Sequence, residues 1–209
     1  MLALFGAFLA FFVTIPAFAN PINTSVWIDV YRGGETTFRG HVLPKEGEGM
    51  GVVVGGNYIF TAAHVVWEAK QISVTTPAGA HVVAVIVAID ADTDSAVLRV
   101  LHTLTHSATI RQKPAVTGES VSVVTPVSAS ERAEIYSGKT GSTKWTSHGV
   151  SVPLIFSGIK GEKGMSGGGL YDAQDALIGI IVRIDGTLGY LHALPITEFC
   201  KRFSQCNLK

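Results

Sequence analysis

The sequence contains a histidine, an aspartate and a serine, in that order, each in a context suited to nucleophilic acyl transfer. His64 lies in the run Thr-Ala-Ala-His-Val-Val, Asp94 precedes Ser-Ala-Val-Leu, and Ser166 lies in Gly-Met-Ser-Gly-Gly-Gly-Leu. A serine hydroxyl is a weak nucleophile at neutral pH, so it needs an imidazole to take its proton, and a buried carboxylate fixes the tautomer of that imidazole. The three residues are therefore a candidate triad, with Ser166 as nucleophile, His64 as base and Asp94 as the orienting acid.

Three aspartates lie close to the acid position, and only one of them can orient the imidazole. Asp94 is followed at once by Ser-Ala-Val-Leu-Arg-Val, so it alone stands where a polar loop meets a buried strand. Asp90 and Asp92 are more simply explained as solvated turn residues. Calcium binding by this cluster is a rival interpretation, but the loop lacks the later glycine and the distal bidentate glutamate of such sites.

Glycines on both sides of Ser166 keep side chains away from its hydroxyl and from the neighbouring amides. The amides of Gly164 and Ser166 are expected to form an oxyanion hole for the tetrahedral intermediate. The same run also fits the G-x-S-x-G pattern of α/β-hydrolases. That fold needs alternating strands and helices, with an acid and a histidine after the serine, where Asp185 and His192 are the sole plausible pair. The missing helices disfavour it.

Composition narrows the classes of partner and cofactor. The 209-residue chain has 16 Lys plus Arg and 16 Asp plus Glu, so no strong field attracts nucleic acid. His102 and His106 have a spacing that could chelate a metal on a helix, but the polar sequence around them favours a surface loop. We therefore expect no metal, no cofactor and no nucleic acid partner.

Short apolar or alternating runs, separated by glycine-rich turn signals, predict a chain that is mostly β-structure. The predicted strands are 25–31, 37–43, 51–55, 59–62, 72–75, 81–89 and 96–100, followed by 120–125, 133–136, 149–156, 168–171, 176–184 and 188–194. The persuasive helical segment is Ile196 to Phe203, with Pro195 before it and Glu198 in its first turn. This pattern predicts an all-β fold of two six-stranded antiparallel β-barrels and a short C-terminal helix.

A polar stretch from His102 to Thr117 separates the two sets of strands. We place the first barrel, with the histidine and aspartate, at residues 20–105, the second, with the serine, at 106–195, and the helix and tail at 196–209. A site built from both halves must lie in the cleft between them, where binding sites commonly form.

Residues 1–19 are predicted to be a secretory signal peptide. They carry no charged residue, are rich in Phe, Leu and Ala, and end in Ala-Phe-Ala before Asn20, which fits an A-x-A cleavage site. Because the usual basic start is missing, an uncleaved membrane anchor is the alternative. Either interpretation predicts export, to the periplasm or outside the cell, with no membrane contact once a signal is cleaved.

The two cysteines, Cys200 and Cys206, could pair in the oxidising compartment that an exported chain meets. In an unbroken helix their Cα atoms would be about 9 Å apart, beyond the limit of roughly 7 Å for a disulfide. Pairing therefore requires the terminal helix to end near Ser204.

The chain resembles the trypsin-like (chymotrypsin-fold) serine proteases, in particular the bacterial Deg/HtrA-type heat-stress enzymes. The resemblance rests on Gly-Val-Val-Val-Gly-Gly-Asn-Tyr-Ile-Phe-Thr-Ala-Ala-His-Val-Val at 51–66, on 90–100, and on 164–170 with the strand Leu-Ile-Gly-Ile after it. It covers nearly all of residues 36–203 and implies a serine endopeptidase that cleaves protein or peptide substrates through an acyl-enzyme. The alternatives are a non-catalytic binding module with the protease fold, and a viral or phage processing protease.

Two departures from the family limit what the resemblance implies. Met165 stands where trypsin-like zymogens usually have an aspartate that pairs with a newly cut N-terminus, so we expect no activating cut beyond removal of the signal. The 209 residues contain one catalytic unit and no C-terminal peptide-binding (PDZ) domain. The cage assembly of Deg-type proteases is therefore not carried over, and the oligomeric state stays open.

The resemblance places the primary specificity pocket between segments 159–163, 181–184 and 189–192. Lys160, Arg183 or His192 would favour an acidic residue on the acyl side of the cut, whereas Leu191 would favour a small aliphatic one. Neighbours on a strand point to opposite faces, so Leu191 and His192 cannot both line the pocket. The sequence leaves this choice open.

Overall fold

The computed structural model describes residues 20–125, 133–147 and 150–207. The predicted signal segment, residues 1–19, lies outside these ranges. Within them, no helix is long and apolar enough to cross a membrane. Antiparallel strands make up most of the described chain, so the prediction of a mostly β protein is confirmed.

Six strands of the first half form a closed antiparallel barrel. They are β1 (Ser25–Tyr31), β4 (Glu46–Val54), β5 (Tyr58–Thr61), β6 (Gln71–Thr75), β7 (His81–Asp90) and β8 (Ser95–Val100). Hydrogen-bonded neighbours run in the order β1-β4-β5-β8-β7-β6, and β6 pairs back onto β1. Branched side chains such as Ile28, Ile59 and Val74 fill the interior and are fully buried. The predicted six-stranded first barrel is confirmed.

The predicted strand 37–43 is instead a hairpin of two short strands, β2 (Thr36–Phe38) and β3 (His41–Leu43). Arg39 and Gly40, which connect them, have φ angles of 51° and 82°. Two consecutive positive φ angles are the geometry of a two-residue type I′ hairpin turn. Two helical turns were also not predicted, α1 (Pro21–Thr24) and α2 (Ala63–Val66).

The second half forms a seven-stranded antiparallel sheet rather than a closed six-stranded barrel. Its strands are β9 (Ser120–Val124), β10 (Ile135–Lys139), β11 (Gly141–Ser147), β12 (Val150–Lys160), β13 (Gly169–Asp172), β14 (Leu177–Ile184) and β15 (Tyr190–Pro195). The order is β10-β9-β13-β14-β15-β12-β11, and among the described residues no ladder joins the two edges.

Strand β12 is bent where it passes β10, one edge strand of this sheet. The pairing of β12 with β15 shifts register between Phe156 and Lys160, and Gly158 within the bend has a φ of +66°. The bend lies against β10, where a Cβ added at Gly138 would clash with the carbonyl oxygen of Ser157. The two strands therefore meet by close packing, not by a ladder.

The C-terminal helix α3 (Ile196–Arg202) lies against β14 and β15 of the second sheet and also reaches the first barrel. The rings of Phe199 and Phe60 stack with their centroids 4.4 Å apart. The helix stops at Arg202, and a 3-10 turn over Ser204–Asn207 follows. This break brings the Cα atoms of Cys200 and Cys206 to 5.4 Å, and a disulfide joins them.

Candidate active site

The histidine lies on a helical turn that directly follows a barrel strand. Ala62 and Ala63 before it are fully buried, so their small side chains let the backbone turn from β5 into α2 against the core. The Thr61 hydroxyl donates a hydrogen bond of 2.7 Å to the Met50 carbonyl. The side chain of His64 keeps 25% of its surface exposed and can therefore meet a substrate.

The aspartate directly before β8 is joined to this histidine by two hydrogen bonds. The backbone N–H of His64 donates to Asp94 Oδ1 at 2.8 Å, and the ring Nδ1 lies 2.7 Å from Oδ2. Asp94 itself is 6% exposed at its side chain and has a φ of 56°. Asp90 accepts the N–H groups of Asp92 and Thr93 and so forms the turn that leads to Asp94. The structure thus brings Asp94, rather than Asp90 or Asp92, to the histidine.

The serine loop is fixed against the strands that carry the histidine. The Ser166 carbonyl accepts the N–H of Met50 at 2.8 Å, and the Gly167 N–H donates to the Ile181 carbonyl at 2.7 Å. Gly167 has a φ of +85°, and a Cβ there would overlap the Met50 carbonyl and the Thr61 hydroxyl. Glycine is therefore required where this loop meets the barrel.

The histidine and serine loops also approach one point on β4. A Cβ at Gly49 would lie 2.7 Å from a methyl group of Val65, which follows His64, and 2.9 Å from the carbonyl oxygen of Ser166. The fold thus brings the serine loop beside the histidine turn. Among the described residues, no hydrogen bond joins the Ser166 hydroxyl to His64.

Two backbone amides beside Ser166 keep their hydrogen-bonding capacity. The Met165 N–H donates to the Glu162 carbonyl at 3.3 Å, and Gly164 has a φ of +92°, as in a type II turn with glycine at its third position. The amides of Gly164 and Ser166 donate to no acceptor in the described part of the chain. The Met165 side chain is 1% exposed and packs in the apolar core of the second sheet.

The predicted specificity pocket contains aliphatic side chains. Leu191 is fully buried, and it pairs across the strands with Ile184. A Cβ at Gly161 would lie 2.7 Å from Leu191 Cδ2 and 2.9 Å from Ile184 Cγ1. Leu191 thus packs against the backbone of Gly161, within the apolar core of the second sheet, and its place in the specificity pocket stays a prediction.

The polar candidates for this pocket each have other partners. Lys160 turns outward, where its ammonium lies 4.2 Å from the centroid of the Tyr190 ring. Arg183 pairs with His192 on the strand face opposite Leu191. Burial lowers the pKa of His192, while nearby Asp185 acts in the opposite direction. An acidic preference through any of these three side chains stays a prediction.

The β2–β3 hairpin brings unforeseen residues to the histidine. Phe38 is 5% exposed, and its ring centroid lies 6.3 Å from that of His64. The Arg39 guanidinium lies 3.9 Å from the ring centroid of Trp145 on β11, so this contact spans the two halves. Burial lowers the pKa of Arg39, although the carboxylates of the Asp94 loop oppose that shift. The single strand predicted over 37–43 did not indicate that Phe38 and Arg39 would lie near the histidine.

An open cavity of about 710 Å³ adjoins His64 on the side of the first barrel, and Glu48 and Lys163 are among the residues that line it. Their side chains form an ion pair at 3.7 Å. In the described ranges, no group of three or more His, Cys, Asp or Glu residues could hold a metal ion. His102 and His106 lie in an exposed loop.

Comparisons with known proteins agree with this architecture. In the active form of the Rv3671c protease from M. tuberculosis, 20% of aligned residues are identical and the TM-score is 0.73, over 97% of this chain and 96% of that one. The HtrA-type protease AlgW is 23% identical with a TM-score of 0.72, and the serine endoprotease from Yersinia pestis is 23% identical with a TM-score of 0.68. Both alignments cover 90% of this chain, but 61% and 63% of the respective relatives.

At these identities the structural likeness shows the fold. No curated protein matches the chain in sequence. The family model for the trypsin-like peptidase domain, however, matches residues 49–180, which contain His64, Asp94 and Ser166. The chain therefore belongs to the trypsin-like peptidase family.

Proposed function

We propose that this chain is a serine endopeptidase in which Ser166 is the nucleophile, His64 the general base and Asp94 the acid that orients it. The observation that carries the proposal is the double contact of Asp94 with the backbone N–H and the ring Nδ1 of His64, at 2.8 and 2.7 Å. An ionised Asp94 places the ring proton on Nδ1. The lone pair of Nε2 is then available to accept a proton.

In the acylation step, the Ser166 oxygen attacks the carbonyl carbon of the scissile bond while its proton moves to His64 Nε2. The negative charge that develops on the substrate oxygen is stabilised by the amides of Gly164 and Ser166. Both amides are without a protein acceptor in the described residues, which supports this role. Gly164 carries no side chain, Met165 is turned into the core and glycine follows Ser166, which favours close approach of the substrate to these amides.

The leaving amine takes the proton from His64 as the carbon–nitrogen bond breaks, which leaves an ester on Ser166. Water then attacks the ester, His64 takes a proton from that water, and the free acid departs as Ser166 regains its proton. Every proton transfer uses side chains of the chain itself, and the mechanism requires no metal or cofactor.

We infer that the substrates are proteins or peptides with a small aliphatic residue on the acyl side of the cut. The family resemblance places the pocket at segments 159–163, 181–184 and 189–192, and there Leu191 and Ile184 pack within 3 Å of the position that a Cβ at Gly161 would take, which leaves little room for a wide aromatic or long charged side chain. The buried side chain of Leu191 also offers no polar partner.

We also propose that the protein works outside the cytoplasm, as a secreted or periplasmic enzyme. The apolar composition of residues 1–19 supports export, either as a cleaved signal or as an anchor. The disulfide between Cys200 and Cys206 supports the same conclusion independently, since such bonds persist in oxidising compartments.

The test is to incubate the mature chain, starting at Asn20, with a mixture of unfolded proteins and to map every new terminus by mass spectrometry. A Ser166→Ala sample serves as control. Cuts after small aliphatic residues that vanish in the variant would support the proposal. Cuts that persist in Ser166→Ala would refute Ser166 as the nucleophile, and no cuts in either sample would favour a binding module with the protease fold.

A further inference from the structure

Arg32, directly after β1, has an unusual set of hydrogen bonds. It is 5% exposed, and its guanidinium donates to four backbone carbonyls: Nε to Trp67 at 2.9 Å, Nη1 to Pro44 at 3.1 Å, and Nη2 to Val65 at 2.7 Å and to His64 at 3.2 Å. Three of these carbonyls belong to the turn that carries the candidate base, and the fourth precedes β4.

The turn needs such a partner because it is very short. The last four carbonyls of an α-helix have no partner within the helix, and α2 has four residues in all. One planar guanidinium supplies several donors in a fixed geometry. Arg32 thus supplies donors to the carbonyl side of α2.

This arrangement is costly for the fold. Among the described residues, no carboxylate forms an ion pair with Arg32. Burial lowers the pKa of its guanidinium, because a charge is less stable away from water. Removing a cation from water lowers the stability of the fold, and here only carbonyl dipoles offset that loss. Capping one short turn does not explain it, so a role beyond packing is indicated.

We propose that Arg32 is a positioning residue for the reaction. It holds the carbonyl side of α2 so that, on the opposite side, both His64 donors meet Asp94 and Nε2 faces Ser166. This inference rests on the proposed function. Its positive charge would disfavour a protonated His64, so a benefit to catalysis must come from geometry rather than from charge.

The first test is Arg32→Lys, which keeps the positive charge but loses the planar guanidinium and its fixed set of N–H donors. Misplacement of a catalytic group by about 1 Å can cost about 100-fold in rate, so we expect kcat to fall by about 10- to 100-fold with KM changed by less than about threefold. The matched control is Arg111→Lys. Arg111 also bonds several acceptors, including the carbonyls of Lys113 and Pro114 and the carboxylates of Asp172 and Glu119. None of these acceptors belongs to the turn that carries His64, so its variant should keep the wild-type kcat.

A second variant displaces the Arg32 guanidinium without removing it, in case Arg32→Lys does not fold. A Cβ at Gly47 would clash with Arg32 Nη1 and lie 3.1 Å from Nη2, so Gly47→Ala should shift the guanidinium and lower kcat in the same way. Gly34→Ala is its control, because a Cβ at Gly34 meets nothing within 4 Å.

Wild-type kcat in a folded Arg32→Lys or in Gly47→Ala would overturn the inference, as would an equal loss of kcat in Arg111→Lys. Proton NMR gives a readout that does not require activity, namely the downfield signal of the His64 Nδ1–H bonded to Asp94. We expect this signal to shift or broaden in Arg32→Lys, and an unchanged signal would contradict the positioning role. If wild-type protein cleaves nothing, the proposed function fails, yet this spectrum still tests Arg32.

Discussion

Replacing Asp94 with asparagine removes the carboxylate charge beside the His64 ring while keeping the shape of the side chain. The amide oxygen can still accept the His64 N–H at the position of Oδ1, where the distance is now 2.8 Å. The amide nitrogen would then stand where Oδ2 lies, 2.7 Å from Nδ1, and would donate to it. Nδ1 must therefore lose its proton, and Nε2 carries it instead.

This reversed tautomer cannot accept the serine proton, so the variant loses the base while keeping the fold. A change of this kind lowers kcat by about 10⁴-fold, or roughly 5.4 kcal/mol at about 1.36 kcal/mol for each factor of ten. The loss of stability should be much smaller, about 1 kcal/mol, because one charge-assisted hydrogen bond becomes a neutral one.

The assay follows cleavage of a peptide identified by the terminus mapping, with thermal unfolding measured on the same samples. Asp92→Asn is the matched control, because Asp92 is exposed in the same loop and should keep wild-type kcat. If Asp94→Asn retained more than about a tenth of the wild-type kcat, Asp94 would not be the residue that orients His64.

Three further outcomes are expected. Leu191→Ala should enlarge the pocket, shift the mapped cuts toward larger residues, and cost about 2–5 kcal/mol of stability; an unchanged cleavage pattern would show that Leu191 does not line the pocket. Burial lowers the pKa of His192 from its ordinary value of 6.5, so as the pH falls the unfolded chain takes up the proton at a higher pH than the folded chain does. The contribution of His192 to the free energy of unfolding is therefore fully present above pH 6.5 and is lost as the pH falls below it. The melting temperature of the wild-type protein should therefore fall below pH 6.5, and His192→Asn should reduce that fall. An identical fall in both proteins would show that His192 is not the group responsible. Reduction of the Cys200–Cys206 disulfide should remove about 2 kcal/mol, as for any loop this short, and leave kcat unchanged; loss of activity in the folded, reduced protein would contradict a purely structural role.

Local patterns were sufficient where neighbouring residues determine the structure. The strand Ser25–Tyr31 was predicted with the bounds it has, since an apolar alternation lies between a polar segment and a glycine pair. Asp94 was singled out because a polar loop gives way there to a buried strand, and it is the aspartate that contacts His64.

Features that depend on pairing between distant segments were missed. The strand Gly141–Ser147 is polar and gains its conformation from its ladder with β12. The side of the sheet on which Leu191 lies could not be predicted by alternation along the strand, because the pairing of β14 with β15 shifts register between Ile181 and Arg183. No local signal marks Arg32 either, since its acceptors include residues 32, 33 and 35 positions away in sequence.

The central claim is that Ser166 becomes acylated during turnover. The most direct measurement is to mix the mature chain with an activated ester of a small aliphatic acyl group, quench with acid within seconds, and locate any adduct by peptide mass spectrometry. We expect a single acyl group on the peptide that contains Ser166, and none in Ser166→Ala. An adduct on another residue, or no adduct while the ester is consumed, would contradict the account.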